Sequence, residues 1–442
     1  MSVDLDRLSA CFEGVIPSVV ATTAADGTPN VSYLSHVVRV DDRRVALSNQ
    51  FFAKTAANVR ANRAASLLLV CPRTGDQFLL DMTWEGVADH GPVFDRIDRA
   101  LRAAIAQTGM ANIMRLKAVD LFVVTAIQPI PNAIATDDRA AAAPQPEVRD
   151  VLAMLGALAE QDSVEDVLET LIDGACRLTG CDNAMVFLHE SERATLIATG
   201  SRGYPESGVG AEVPVGDLLI GQAASTGATL KISDLSRVER LGRAAGGVAA
   251  DDSHTIALPR LDGALSQIAV PLKLQGEVQG VLFVEAARRL AFDETAAAGL
   301  EAMARQAAAS LALAAVAEDD ELAPAPPPPA PRAGGATIRV RIHRFDDSVF
   351  IDGQYAIKGV AGRLLAWLVA RGVAEGRTTF SNREIRKDAT LRLPEYKDNL
   401  ETRLLLLSRR LDDRAFPIRL HRRDRGIMEL EMRGSPVLEL YD

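Results

Sequence analysis

The chain is poor in the residues that mark several function classes. Four cysteines occur in 442 residues, Cys11, Cys71, Cys176 and Cys181, too few and too scattered for a disulfide framework. The nearest two are spaced C-x4-C with no second pair beside them, so inert thiols are expected rather than metal ligands, with redox sensing by Cys176 and Cys181 as the rival. The six histidines are dispersed, without HExxH or a Cys/His cluster, and no metal site is expected. There is no run of eighteen apolar residues, and the opening MSVDLDRLSA lacks the basic start and apolar stretch of a secretory signal, which predicts a cytoplasmic protein. Also missing are a P-loop, a nucleophile elbow and a paired-carboxylate signature. The loop Asp251-Asp252-Ser253-His254 reads as a solvated turn rather than a triad, so no catalytic residue is assigned.

What is present is enough apolar material for several cores: 48% hydrophobic against 24% charged residues. At ~150 residues per domain the length suggests about three. The net charge of −10 is unevenly spread, since residues 336–442 hold 21 Lys+Arg against 16 Asp+Glu and the rest carries the acidic excess. A uniformly nucleic-acid-binding chain is excluded, whereas a C-terminal module that meets a polyanion is not. Two breaks divide the chain. TDDRAAAAPQPEVRD at 136–150 is small, polar and proline-containing. Six prolines between 324 and 331 favour an extended spacer over 318–335, with an SH3-type ligand as the functional rival. The expected units are 1–135, 147–317 and 336–442, and no internal repeat is evident.

In the first unit, Asp26-Gly27 and Asp41-Asp42 turns separate three runs rich in Val, Thr and Leu after a short opening helix. A helix over about 53–63, three further strands and a helix over about 92–107 follow; six strands suggest a small closed barrel. Val45-Ala-Leu-Ser-Asn-Gln-Phe-Phe-Ala-Lys-Thr ends a strand in small polar residues and opens a helix with Lys54 and Thr55. Hydroxyls, an ammonium and a helix N-terminus there suit one anion, though Ser-Asn before a helix is also an ordinary cap. With the D-G hairpin, the run SYLSHVVRVDD and the later TWEGVAD strand, the unit resembles the pyridoxamine 5′-phosphate oxidase-related flavin-binding split barrels. The resemblance implies FMN, its phosphate held by Ser48, Asn49, Lys54 and Thr55 and its ring system lying along Ser35, His36, Val37 and Val38. It also implies a homodimer with the flavin at the subunit boundary. The chain departs from the family by having Ala53-Lys54 where the oxidases commonly show a basic pair, and by lacking their terminal Arg-Leu-x-Pro substrate signature.

The second unit opens with a helix over 147–160 whose Val148, Val151, Leu152, Leu155 and Leu158 recur at three and four residues. A second helix over 163–178, strands NAMVFLHE, ATLIATGS, SQIAVPLKLQG and VQGVLFVEA, and an alanine-rich helix over 293–316 complete a mixed sheet bracketed by helices. The outer helices either meet a second copy or cover their own sheet. LETLIDGACRLTGCDNAMVFL, the closing strands and the spacing of Gly216, Gly221, Ala223, Gly227 and Asp234 together resemble a GAF domain, a small-molecule sensory module with an α/β sandwich fold. The stretch between Asp234 and Ser266 reads as a lid or as an irregular loop.

The third unit runs hairpin, three helices, hairpin. It resembles the winged-helix DNA-binding output domains of response regulators, in which the third helix enters the major groove. The resemblance places Lys397, Asn399, Thr402, Arg403, Arg409 and Arg410 on that helix, and His421, Arg422, Arg423 and Arg425 at the wing. Arg and Lys neutralise phosphates, and Asn or Arg reads base edges. Yet Leu404-Leu405-Leu406-Leu407 spans a full turn, so its apolar surface cannot all face one core. An exposed remainder points to a protein interface. The expectation is a multidomain α+β protein: a cytoplasmic ligand- or redox-responsive transcriptional regulator built from a split barrel, a GAF sensor and a winged helix that binds DNA. The alternatives are an FMN-dependent oxidoreductase with regulatory domains, or a scaffold whose winged helix contacts protein.

Overall fold

The computed structural model describes residues 4–34, 36–49, 53–106, 116–131, 147–190, 193–236, 256, 258–319, 336–391, 393, 400–424 and 426–441. Residues 237–255 and 257 of the expected 234–266 lid, residues 136–146 of the 136–150 connector and nearly all of the proline spacer lie outside them.

The first unit has a 3-10 helix, Asp6–Glu13, and seven strands: β1 Ser18–Thr23, β2 Pro29–Leu34, β3 Val37–Arg39, β4 Arg44–Asn49, β5 Ala64–Val70, β6 Gln77–Ala88 and β7 Ala118–Ile130. Their order is β2-β1-β5-β6-β7-β4-β3, antiparallel throughout. The run SYLSHVVRVDD, expected as one strand, supplies both β2 and β3, and these are the two edges. Leu34 and Val37 are three residues apart, a reach of at most ~11 Å, whereas a flat seven-stranded sheet is nearly 30 Å wide at ~4.8 Å per strand. The sheet must therefore curl until its edges approach, which makes it a barrel around Val20, Leu67, Leu80 and Phe122. Helix α1, Ala53–Asn62, lies on β1 and β2. Helix α2, Pro92–Ala106, buries Ile97 and Leu101 beside β7 and also packs against the second unit.

That unit comprises α3 Val148–Ala159, α4 Val164–Thr179, β8 Asn183–Glu190, β9 Thr195–Arg202, β10 Glu212–Pro214, α5 Leu218–Thr226, β11 Leu230–Ile232, β12 Ser266–Leu274, β13 Glu277–Ala286 and α6 Glu294–Asp319. Ser163 caps α4 by accepting from the Asp166 N–H at 3.1 Å, and Gly180, left-handed at φ 62°, ends it. The sheet, β10-β9-β8-β13-β12-β11, is antiparallel at every pairing and not mixed as expected. No crossover between parallel neighbours is needed, because β8–β9 and β12–β13 are each a hairpin. On one face α3, α4 and α6 bury Leu158, Leu168, Leu171, Leu300 and Met303 against it. The other face holds Met185, Phe187, Leu219 and Phe283 under α5. The inner stripes of the outer helices thus cover their own sheet, while Val148, Leu152 and Leu313 stay exposed.

The glycines of the 216–234 phrase turn out to have structural duties. A Cβ on Gly221 would stand 2.2 Å from the Pro214 carbonyl oxygen, and Gly216 and Gly227 hold φ of 98° and 59° at the two ends of α5. Asp234 pairs with Arg289 at 2.9 Å.

The third unit has β14 Ala336–His343, β15 Ser348–Ile351, β16 Gln354–Ile357, α7 Gly359–Glu375, β17 Thr379–Ser381, α8 Asn382–Lys387, α9 Leu400–Asp413, β18 Ile418–Asp424, β19 Ile427–Met432 and β20 Gly434–Tyr441. Sheets β16-β15-β14-β20 and β17-β19-β18 flank one core of Leu364, Leu368, Phe380, Leu407 and Leu430. β20, which the sequence reading left out, pairs parallel with β14 along eight residues.

Candidate functional site

Three places carry candidate chemistry. The first is the start of α1. Thr55 is buried, and its hydroxyl is bonded to Asn30 Nδ2 at 3.0 Å and to Ser32 Oγ at 3.1 Å on β2. Asn58 donates to Thr22 Oγ1 at 3.1 Å, so one polar face of α1 ties the helix to the barrel wall. Ser48 is also buried. Its hydroxyl accepts the His36 N–H at 3.3 Å, and its own N–H donates to the His36 carbonyl at 3.1 Å, which joins the start of β3 to β4. Val37 lies in the barrel core. Lys54 alone among the described side chains of this set offers an exposed charge. Ser35 and the side chain of Asn49 lie outside the described residues. These hydroxyls take part in holding the barrel together.

The second place is a small cavity in the middle unit, about 20 Å³, bounded by Leu219, Leu258, Gln267, Phe283 and Glu285. Glu285 is 1% exposed at the end of β13. Its carboxylate accepts from Tyr204 Oη at 2.9 Å, Gln267 Nε2 at 2.7 Å and the Leu261 N–H at 3.1 Å. Burial and, behind it, the Glu285 charge push the Tyr204 hydroxyl well above its ordinary pKa, so it stays a donor at every physiological pH. A cavity of this size accommodates a water molecule or one small group. A larger ligand requires the 258–264 segment to shift, and Glu285 would then receive a donor from that ligand in place of the Leu261 N–H. The sequence reading passed over Glu285. Its signal was a lone carboxylate closing the apolar strand VLFVEA, because a charge is buried only with partners.

The third place is α9, and here the structure departs from expectation. The helix was read as presenting an open cationic face, but it lies against the middle unit. Arg403 Nη1 is 3.4 Å from Glu190 Oε1, with the two side chains 7% and 9% exposed. Arg409 donates to the Thr199 carbonyl at 2.9 Å and to Glu169 at 3.1 Å, with Glu165 at 3.6 Å. Arg410 is buried and donates to the Ala356 carbonyl of its own unit at 3.0 Å. Thr402 is half-buried. The four leucines divide as their helical spacing requires: Leu404, Leu406 and Leu407 enter the core of the third unit, while Leu405 packs on the core of the middle one. Lys358–Glu212 at 3.0 Å and Val209, which joins the third unit's core, extend the junction. Arg403, Arg409 and Arg410 are therefore unavailable to a polyanion in this arrangement. His421 is half-buried 3.3 Å from Glu431, and Arg422 and Arg423 are exposed on the last hairpin. Lys397, Asn399 and Arg425 lie outside the described residues.

Among the described residues no cluster of His, Cys, Asp or Glu is arranged for a metal ion, and no helix is long and apolar enough to cross a membrane.

Comparison with known proteins assigns two of the three units. The pyridoxamine 5′-phosphate oxidase family model matches residues 5–128, and the GAF domain model matches residues 161–312. The first is thus a pyridoxamine 5′-phosphate oxidase-like barrel, the second a GAF domain, and neither match reaches 336–442. Similar solved structures include the GAF domain of an Acinetobacter phosphoenolpyruvate-protein phosphotransferase, 18% identical, covering 38% of this chain and 94% of that one with a TM-score of 0.32. An FMN-binding protein from Syntrophomonas wolfei is 17% identical over 28% of this chain and 84% of its own, TM-score 0.25. Free methionine-R-sulfoxide reductase from Neisseria meningitidis, in complex with its substrate, is 20% identical over 38% and 89%, TM-score 0.30. No curated protein matches the chain.

Proposed function

We propose that the chain is a small-molecule-responsive regulator in which the GAF domain governs the docking of the C-terminal domain, and that α9 is first of all a protein-contact helix. The observation that supports this is the packing of Arg403, Leu405 and Arg409 against the GAF domain, with Arg403 buried there. Ligand entry at Glu285 has a short path to that junction. Tyr204, which bonds Glu285, follows β9 by two residues, and β9 carries the Thr199 carbonyl held by Arg409. A ligand that displaces the Tyr204 contact favours the undocked state by its difference in affinity for the two states.

A second reading, transcription control through DNA, rests on the hairpin–helices–hairpin order of residues 336–432, which suits a winged helix, and on the exposed Arg422 and Arg423. In that reading the GAF domain masks the groove-reading helix until it is released. Fluorescence anisotropy with a mixed-sequence DNA duplex, run at low and at physiological salt on the wild type and on Glu190→Ala, separates the two. Salt-sensitive binding that appears only in the variant supports a masked DNA reader. Absence of binding in both supports a contact helix, and tight binding by the wild type overturns the docking reading.

The barrel is proposed to serve assembly with a second copy, with Val31 and Tyr33 of edge strand β2 exposed for that purpose at 63% and 73%. It is not assigned FMN catalysis. The expected result is substoichiometric flavin in the visible absorption spectrum after FMN is added to the protein and desalted. One flavin per chain that falls away in Lys54→Ala would restore the oxidoreductase alternative.

A further inference from the structure

The barrel holds the GAF domain through a few polar grips. Glu13, at the end of the 3-10 helix, accepts from Lys231 Nζ at 2.7 Å and from Ser233 Oγ at 2.9 Å. Lys231 also donates to the Phe292 carbonyl at 3.2 Å. From the turn between β5 and β6, Arg73 donates through Nη2 to the Leu290 carbonyl at 3.0 Å. These grips border a cleft of about 450 Å³, with the 3-10 helix, Arg39 and Arg73 on the barrel side and residues 290–295 on the GAF side. Pockets of ~300–1,000 Å³ are the ones that take small-molecule ligands.

Most of the charge around the cleft is already engaged. Arg39 donates through Nε to the Asp41 carbonyl at 3.2 Å and through Nη2 to Asp42 at 2.8 Å, and its Nη1 pairs with Asp6. Each oxygen of Glu13 accepts one of the bonds given above. Asp293 caps α6 by accepting the Ala296 N–H at 2.8 Å. Two charged side chains of the lining differ from these. Arg73 makes its one hydrogen bond and no ion pair among the described residues, so most of its five N–H donors are open. Glu294, exposed in the first turn of α6, has no side-chain hydrogen bond and no ion pair among the described residues. Ser9 and Thr295 line the same cleft with hydroxyls that bond no described group.

We propose that the cleft binds a small zwitterion with a carboxylate at one end and an ammonium at the other, the chemistry shared by a free amino acid and a short peptide. Arg73 takes the carboxylate, since a guanidinium fork can hold both of its oxygens at once, and Glu294 takes the ammonium. The two hydroxyls serve the polar groups between. A ligand of one sign fits less well: an anion on Arg73 meets the Glu294 carboxylate uncompensated, and a cation on Glu294 meets the Arg73 guanidinium.

This site is separate from the Glu285 cavity, and it is divided between two domains. Arg73 and Ser9 belong to the barrel, Glu294 and Thr295 to the GAF domain. The ligand therefore binds the state in which barrel and GAF domain are held together, and stabilises it by mass action. Helix α6 runs from this cleft to Asp319, at the entrance of the proline-rich stretch.

Isothermal titration of the full chain with L-alanine and with tri-L-alanine tests the proposal. One site per chain should saturate with at least one of them, and the tighter of the two tells whether the site takes an amino acid or a peptide. Acetylating the amine of that ligand, or amidating its carboxylate, should each weaken binding tenfold or more. Glu294→Gln should weaken the unblocked ligand by a similar factor. It lies on an exposed helix surface and leaves the fold intact, which circular dichroism checks. Arg73→Gln should do the same at the other pole. Failure of both ligands to bind, equal binding of blocked and unblocked forms, or affinity indifferent to Glu294→Gln overturns the proposal.

Discussion

Glu190→Ala should lower the stability of the folded chain by ~3–5 kcal/mol, or undock its C-terminal domain at whatever smaller cost docking represents. The two outcomes have one cause. Arg403 and Glu190 are 7% and 9% exposed and 3.4 Å apart, so truncating the carboxylate strands a guanidinium out of water. Because the pair lies between two domains, the molecule has a way out that a pair inside one core lacks: it can separate, and Arg403 is hydrated again. The penalty is thus capped by the docking free energy. Small-angle scattering should show a larger radius of gyration for Glu190→Ala, and urea unfolding should split into two transitions if separation is the cheaper route. The double change Glu190→Ala with Arg403→Ala should recover part of the loss, since no charge is then left alone. Arg409→Ala is the contrasting case. Its carboxylate partners Glu165 and Glu169 are 45% and 62% exposed, and such pairs are worth below ~1 kcal/mol. An unchanged radius and midpoint for Glu190→Ala would show that the junction carries no weight.

Glu285→Ala should destabilise the GAF domain by on the order of 4 kcal/mol. Three donors, from Tyr204, Gln267 and Leu261, converge on a carboxylate that is 1% exposed. Each would be left without its acceptor in a cavity able to admit at most a water or two, and ~1–3 kcal/mol is typical for each such loss. Thermal unfolding followed by near-ultraviolet circular dichroism would report it through Tyr204. Glu285→Gln is the gentler test. It retains one acceptor oxygen but places two donors among groups that are themselves donors, so it should fall between alanine and wild type. A variant as stable as the wild type would mean that Leu261 and Gln267 find other partners and that the cavity is not organised around a carboxylate.

How much of this was legible in the sequence varies with range. The helices over 53–62, 148–159, 164–179 and 294–319 agree with the reading within a few residues, because spacing and caps such as Ser163 and Gly180 are local. Helix α5 was not read as an element, since LLIGQAAST is short and largely apolar without a polar face. β20 was missed because its partner lies almost a hundred residues back in the chain and Pro436 weakens any strand pattern. The surplus of Leu404-Leu405-Leu406-Leu407 was visible as one apolar surface too many. Its destination was not, because that Leu405 meets the GAF core depends on how two folded bodies sit together. The same limit applies to Thr55 and Ser48. Hydroxyls beside a helix start read equally as anion ligands or as internal ties, and the ties to Asn30, Ser32 and the His36 backbone depend on strands that only the fold brings near.

The parallel pairing of β14 with β20 has a mechanical consequence. β14 is the first element after the proline-rich stretch, and it is bonded to β15 on one side and along all eight residues to β20 on the other. Traction along the tether would load those bonds in shear, many at once, instead of peeling them one by one. The 336–441 body should therefore travel intact when it is tugged, with the α9 junction giving way before the sheet does.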